Sequence, residues 1–241
     1  MVMIRLHRRG NMLKAIILDM DGTMLDTERA SALEWPKVGE AFGFEVSSSF
    51  INYLMGLTGN QRMERLREKL PDRNDIEEIV AYLYQNVRAR IKNEGVAAKP
   101  GLSELIAYCE SRNLILAVAS SSPVHHIEEL MGSHGLLHHF ALIIGGDMVT
   151  HHKPDREIYD LTAARLNLTH DEVMVIEDSR VGVAAAYTAD MKVILVPDVE
   201  APDELMLSQC EACVSSLNEV INVIEGQLSR DRLWSVNNDV L

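Results

Sequence analysis

Short apolar runs, each closed by acid, hydroxyl or glycine residues, constrain the fold of this chain more than any other feature. Ala15 to Leu18 runs into Asp19-Met20-Asp21-Gly22, and Leu114 to Ala119 into Ser120-Ser121-Ser122. Ala141 to Ile144 runs into Gly145-Gly146, and Val173 to Ile176 into Glu177-Asp178. Val193 to Val196 is read as the last run of this kind. Such runs, bounded by turn signals, have the length and character of strands buried on both faces. Between the later ones lie helical patterns over Pro123 to Met131 (with Ser122 as its N-cap), Glu157 to Leu166 and Arg180 to Ala189, and Ser216 to Gln227 closes the series. Alternating strands and helices predict a parallel sheet with helices on both faces.

The first two runs are separated by a long stretch of different character. Ile76, Ile79, Val80, Leu83, Val87 and Ile91 trace an apolar stripe at helical spacing, and Met63, Leu66 and Leu70 trace another. Pro36 is expected to kink or end the first helix of this stretch, because it lacks the donor that a helix interior needs. The resulting fold class is α/β, a Rossmann-like core over residues 12–26 and 100–228 with an all-helical cap, residues 27–99, inserted after the first strand. Residues 1–11 form an N-terminal extension and residues 229–241 a C-terminal tail in this reading.

Composition narrows the partners. With 47% hydrophobic and 24% charged residues the chain can bury an ordinary core. A formal charge of -13 argues against nucleic acid or an anionic membrane, both of which need a basic face. No apolar run has the length of a membrane span, and Met1 to Asn11 lacks the apolar centre of a secretory signal. The cysteines Cys109, Cys210 and Cys213 imply no disulfide framework, and the lone Cys210-x-x-Cys213 reads as two small packing residues. A cytoplasmic location is expected. Paired histidines such as His125 and His126, or His151 and His152, read as polar surface or loop residues, since neighbours in a helix do not share a face.

In open parallel sheets, ligands lie outside the carboxyl ends of the strands. Asp19 and Asp21 stand there as two acids one residue apart, an arrangement that is costly without a cation or proton chemistry. Gly22 comes too early for a calcium loop of the helix–loop–helix kind. Ser120 and Ser121, before a helix start, can hold phosphate oxygens or simply cap the helix. Lys153 is a point charge suited to phosphate or to solvent. Glu177 and Asp178 close a buried strand and again ask for a cation, with helix capping by Asp178 or Ser179 as the alternative.

Taken in order, these four features resemble the haloacid dehalogenase superfamily, whose motifs read D-x-D-G-T, a Ser or Thr after a strand, a Lys, and an acidic pair after a strand. The likeness extends from about Met12 to Gln227, and "DMDGTMLDTE", "KPDREIY" and "IEDSRVGVAAA" are similar to the β-phosphoglucomutase-like phosphatases with an α-helical cap. The resemblance implies a phosphatase acting on a small phosphomonoester. Asp19 would be the nucleophile and Asp21 the general acid and base. Mg²⁺ would be held by Asp19, Asp21 through its carbonyl, Asp178 and, directly or through water, Glu177. Ser120, Ser121 and Lys153 would bind phosphate.

Two alternatives stay open at this point, a phosphomutase and a non-catalytic binding domain on the same fold. Ser31 stands where the related mutases carry a cap-hinge histidine, and Met55 and Gly59 stand where they carry a lysine and an arginine. These departures favour hydrolysis. The cap loop from Met55 to Gln61 is the expected substrate reader, with Thr58, Asn60, Gln61 and nearby Arg62 offering hydrogen bonds to hydroxyls or a second anion.

Overall fold

The computed structural model describes residues 12–55 and 59–238, with the side chains of 60, 61 and 233–238 left out of the description. Six parallel strands form one sheet in the order β3-β2-β1-β4-β5-β6. They are β1 (Ala15–Leu18), β2 (Ile115–Ala119), β3 (Leu142–Ile144), β4 (Val173–Glu177), β5 (Lys192–Leu195) and β6 (Ala212–Cys213). Ten α-helices are described: α1 (Thr27–Phe42), α2 (Ser48–Leu54), α3 (Gly59–Lys69), α4 (Ile76–Glu94), α5 (Leu102–Ser111), α6 (Val124–Ser133), α7 (Glu157–Leu166), α8 (Arg180–Thr188), α9 (Glu204–Gln209) and α10 (Leu217–Asn238).

The strand period sorts the core into two layers. Ile16 and Leu18 of β1 pack in one apolar cluster with residues of α1, α4, α5 and α10, whereas Ala15 and Ile17 pack in the other with residues of α7 and α8. Each fully buried aliphatic side chain contributes about 1.5–3 kcal/mol, so a doubly covered central strand is the firmest part of the sheet. β1 pairs with β2 on one side and β4 on the other. The chain order reverses between β1 and β4, and a crevice opens at such a switch point.

The helices α1 to α4 fill the stretch between β1 and β2. The six apolar positions traced on α4 are all buried. Two strands of connecting chain join this helical body to the sheet, and they are laced together: the Asp26 N–H donates to Ala97 O at 2.9 Å, and the Lys99 N–H to Met24 O at 2.8 Å. Lys99 also pairs with Asp198 on the core.

Three expectations are corrected and one is narrowed. Pro36, expected to kink or end α1, lies inside it, where Trp35, Val38 and Gly39 on either side are buried and that packing outweighs one missing helical bond. Ser122 does not cap α6; Pro123 holds that place in an extended conformation, and Ser122 turns instead to Asp21. The strand at β5 is not the last, since α9 and the two-residue β6 follow it; a strand that short carries no period to read. The closing helix runs to Asn238 and so takes in much of the stretch expected to be a tail: Asp231 accepts a hydrogen bond from the Leu13 N–H at 2.9 Å, tying α10 to the start of the sheet.

Candidate active site

The sheet delivers its polar residues to one place. Asp19 follows β1, Ser120 follows β2, and Glu177 ends β4, so adjacent central strands place all three at the same edge of the sheet. Lys153 enters from the loop before α7. Its ammonium donates to Asp19 Oδ1 at 2.7 Å, to Glu177 Oε1 at 2.7 Å and to Ala119 O at 3.0 Å. All three side chains are buried.

Glu177 ends β4, as expected, and is held on both carboxylate oxygens by protein donors. Its Oε1 accepts from Lys153 and from the Tyr159 hydroxyl at 2.9 Å, and its Oε2 accepts from the backbone N–H groups of Asp178 and Ser179 and from Ser179 Oγ. With both oxygens engaged by protein donors, Glu177 anchors Lys153. Gly182 makes room for it, since a Cβ there would come within 1.7 Å of Glu177 Oε1. Ser179 caps α8 by accepting from the Gly182 N–H. Tyr159, six places after Lys153 and on α7, carries no sequence signal that marks it as a site residue, and the fold brings its ring to 5.0 Å from the ammonium.

Asp178 is reached by the loop after β1. Gly22 has φ of 85°, and a Cβ on it would lie 2.3 Å from Asp178 Oδ2, so only glycine permits this approach. Thr23 Oγ1 donates to Asp178 Oδ1 at 2.9 Å. Asp21 is half-buried on the cavity side and accepts from Ser120 Oγ at 3.1 Å and from Ser122 Oγ at 2.8 Å.

The electrostatics are those of crowded acids. Burial pushes Asp19 up to about 8; Lys153 opposes the rise, and Glu177 and Asp21 add to it. Burial also raises Asp178 well above the carboxylate range, with Glu177 and Asp19 adding their repulsion. Burial acts on Glu177 in the same sense, but Lys153 and the hydrogen bonds around it bring it below its ordinary value. Lys153 is held well above its usual value, because Asp19 and Glu177 outweigh the cost of its burial.

These residues suit a hard divalent cation. Asp19 and Asp178 are buried oxygen donors that resist ionising without more positive charge nearby. Among the described residues no three His, Cys, Asp or Glu side chains form a ready-made metal cluster.

A cavity of about 360 Å³ lies between this site and the helical insert. The core side is lined by Asp19, Asp21, Ser120, Ser121, Lys153 and Asp178, and the insert side by Thr27, Ser31, Arg62 and Tyr84 among others. Of the expected cap residues, Thr58 lies outside the described residues, as do the side chains of Asn60 and Gln61. Arg62 does line the cavity, but it is buried and committed to protein: it donates to Tyr84 Oη at 2.8 Å, to Leu54 O at 3.4 Å and to Glu28 Oε1 at 3.4 Å. His126, read as a surface residue, is half-buried in the cavity wall. His152, next to Lys153, is exposed. Cys109, Cys210 and Cys213 are free thiols.

Comparison with known proteins places this geometry. The chain is 29% identical over 215 residues to a phosphorylated carbohydrates phosphatase of Thermotoga maritima, covering 88% of this chain and 99% of that protein. The structure of CbbY from Rhodobacter sphaeroides in complex with phosphate superposes with a TM-score of 0.73 at 26% identity, covering 87% and 96% of the two chains. A β-phosphoglucomutase from Clostridium difficile shares the fold, with a TM-score of 0.74 at 21% identity over 92% of this chain and 100% of that one. Residues 16–196 match the family described as haloacid dehalogenase-like hydrolase, a span that begins in β1, closes just after β5 and takes in Asp19, Asp21, Ser120, Lys153, Glu177 and Asp178. The chain is a haloacid dehalogenase-like hydrolase.

Proposed function

We propose that this hydrolase is a Mg²⁺-dependent phosphatase for small phosphorylated carbohydrates and related phosphomonoesters, working through Asp19. The observation that carries the reading is the convergence of Asp19, Asp21, Ser120, Lys153 and Asp178 on one cavity wall. A relative that acts on phosphorylated carbohydrates supports the substrate class.

In this mechanism a carboxylate oxygen of Asp19 attacks phosphorus and the bond to the leaving oxygen breaks. Asp21, one residue beyond Met20 and on the cavity side, gives its proton to the departing alkoxide. The product is an aspartyl-phosphate, which divides one difficult displacement into two. Asp21, now a carboxylate, takes a proton from water as the water oxygen attacks phosphorus; inorganic phosphate leaves and Asp19 is restored. Lys153 and the Ser120 hydroxyl steady the non-bridging oxygens, Ser121 lies beside them, and Glu177 and Tyr159 hold Lys153 in place. Asp19, the Asp21 carbonyl and Asp178 would hold Mg²⁺, which when bound supplies positive charge for the phosphoryl group. The free thiols fit action in the reducing cytoplasm.

The helical insert, residues 27–99, serves in this reading as a cap that closes over the site and excludes water. A phosphomutase would use the same core, and a mutase shares the fold. Ser31, with no titratable group, favours hydrolysis. The test is phosphate release from a panel of sugar phosphates with Mg²⁺, for the wild type and Asp19→Asn. Turnover that falls by several orders of magnitude in the variant, with the fold intact, is expected. Near-normal turnover in Asp19→Asn would remove the mechanism, and conversion of a sugar 1-phosphate to its 6-phosphate faster than phosphate release would favour the mutase.

A further inference from the structure

Two hydroxyls in the cavity wall have no partner. Thr27 Oγ1 and Ser31 Oγ are sealed side-chain atoms without a hydrogen bond, and each residue is 6% exposed. They stand four places apart on α1 and so share one face. Five buried side-chain atoms among the described residues lack a hydrogen bond, and these two are the ones whose residues line the cavity that holds Asp19 and Asp21.

This is not how the protein treats its other helical hydroxyls. Thr162 donates to Ile158 O at 2.7 Å, Ser133 to Leu130 O at 2.7 Å and Thr188 to Ala185 O at 3.0 Å. Each satisfies itself on its own helix. Ser31 has the Thr27 carbonyl one turn back, the partner such residues ordinarily take, and does not use it. A buried hydroxyl left unpaired costs free energy, and native folds keep few of them without a functional reason.

The character of the wall says what would satisfy them. A hydroxyl both donates and accepts, so it pairs with another hydroxyl in either sense. The buried cation of the insert side offers little to a second anion: Arg62 is tied to Tyr84 and faces Glu28 at 3.4 Å. Val87, Ile91 and Pro123 supply the apolar part of the lining. We infer that Thr27 and Ser31 form a paired reader of substrate hydroxyls, so that the leaving group is a polyol carrying neighbouring hydroxyls near its phosphate. The inference rests on the phosphatase reading and extends it to the choice of leaving group. It adds α1, which begins directly after Asp26, to the surfaces that would select the leaving group.

The experiment compares kcat/KM for sorbitol 6-phosphate with that for phenyl phosphate, which has no hydroxyl on its leaving group, in the wild type, Thr27→Val and Ser31→Ala. Each variant is expected to lower the sorbitol-to-phenyl ratio by about 2- to 10-fold, the worth of one neutral hydrogen bond. The ligand-free variants are expected to melt no lower than the wild type, since neither loses a protein partner. A ratio unchanged within twofold in both variants would overturn the inference, as would a melting temperature lowered by more than about 3 °C, which would assign the hydroxyls to the fold. A wild type that hydrolyses phenyl phosphate but not sorbitol 6-phosphate, fructose 1-phosphate or glucose 6-phosphate would overturn it too. A wild type that releases phosphate from none of the four would instead remove the phosphatase reading beneath it.

Discussion

Replacing Lys153 with methionine keeps the length of the side chain and removes its charge. The ammonium sits 2.7 Å from Asp19 and 2.7 Å from Glu177, and it is 5% exposed. Taking one member from a buried ion pair leaves an uncompensated charge, at about 3–5 kcal/mol. Here two acids lose the same cation, so the upper part of that range is expected at alkaline pH. For a chain of this length about 4–5 kcal/mol corresponds to a fall of about 8–20 °C in melting temperature. The sign with pH follows from the directions of the shifts. Glu177 is held below its ordinary value, so its stabilising contribution is present above the normal carboxylate range and is lost as pH falls through the lowered value. Asp19 is already raised to about 8, and without Lys153 it is driven higher. At acid pH both groups in the variant take up protons and the penalty shrinks. Urea unfolding of wild type and Lys153→Met, followed by circular dichroism in EDTA at pH 5 and pH 8, measures this directly. The destabilisation should be several kcal/mol at pH 8 and less than half as large at pH 5. A loss under about 1 kcal/mol at pH 8, or an equal loss at both values, would refute the claim that Lys153 neutralises both acids.

Chelation by EDTA should abolish phosphate release and added Mg²⁺ should restore it; full activity after exhaustive dialysis against chelator would contradict the cation requirement. Because Asp19 and Asp178 lie high in the metal-free protein, Mg²⁺ binding at pH 7 should release protons into a weakly buffered indicator solution, with less release above pH 9. A release that does not change with pH would show that these acids do not take part. Gly22→Ala forces a side chain onto a left-handed residue and against Asp178, so a loss of about 1–3 kcal/mol in stability and a large fall in kcat are expected; wild-type values in both would dismiss the close approach. Asp21→Asn should lose roughly 10²–10⁴-fold in turnover through proton transfer while Mg²⁺ affinity, measured by calorimetry, changes little. A large loss of affinity would place its carboxylate on the ion.

What could be read from the sequence divides along physical lines. Strands β1, β2 and β4 announced themselves because each is a short apolar run that must be buried on both faces, and their polar ends then had to meet. The stripe on α4 was legible for the same reason, as every residue of it is buried. Glu177 was legible as an acid at a strand end but not as the anchor of Lys153, because its five donors come from Lys153, Tyr159, Asp178 and Ser179, and two of those lie on distant loop and helix. Ser122 was misplaced because a serine before a helical pattern is an ordinary cap, and only the return of the chain after β1 offers it Asp21. Thr27 and Ser31 carried no local signal, since an unpaired hydroxyl can be recognised only when every possible partner has been placed.

The proposed need for a cation at this site rests on its charges. Asp19, Asp178 and Glu177 are three buried acids, and Lys153 is the single buried base among them. When all are ionised the set is left about two charges negative, on a chain that is already acidic overall. The protein alone can relieve this excess by keeping protons on Asp19 and Asp178, which is the direction in which burial moves both. A protonated Asp19 is no nucleophile, however, so that form of the protein is silent in the proposed reaction. A divalent cation among the same oxygens cancels the excess without a proton, and leaves Asp19 ionised at neutral pH. It also removes the repulsion that an incoming phosphate would meet. Lys153 cannot do this by itself, because Glu177 takes up part of its charge in holding it. In the proposed reaction, the arrangement that holds Lys153 would therefore also be the one that calls for a metal.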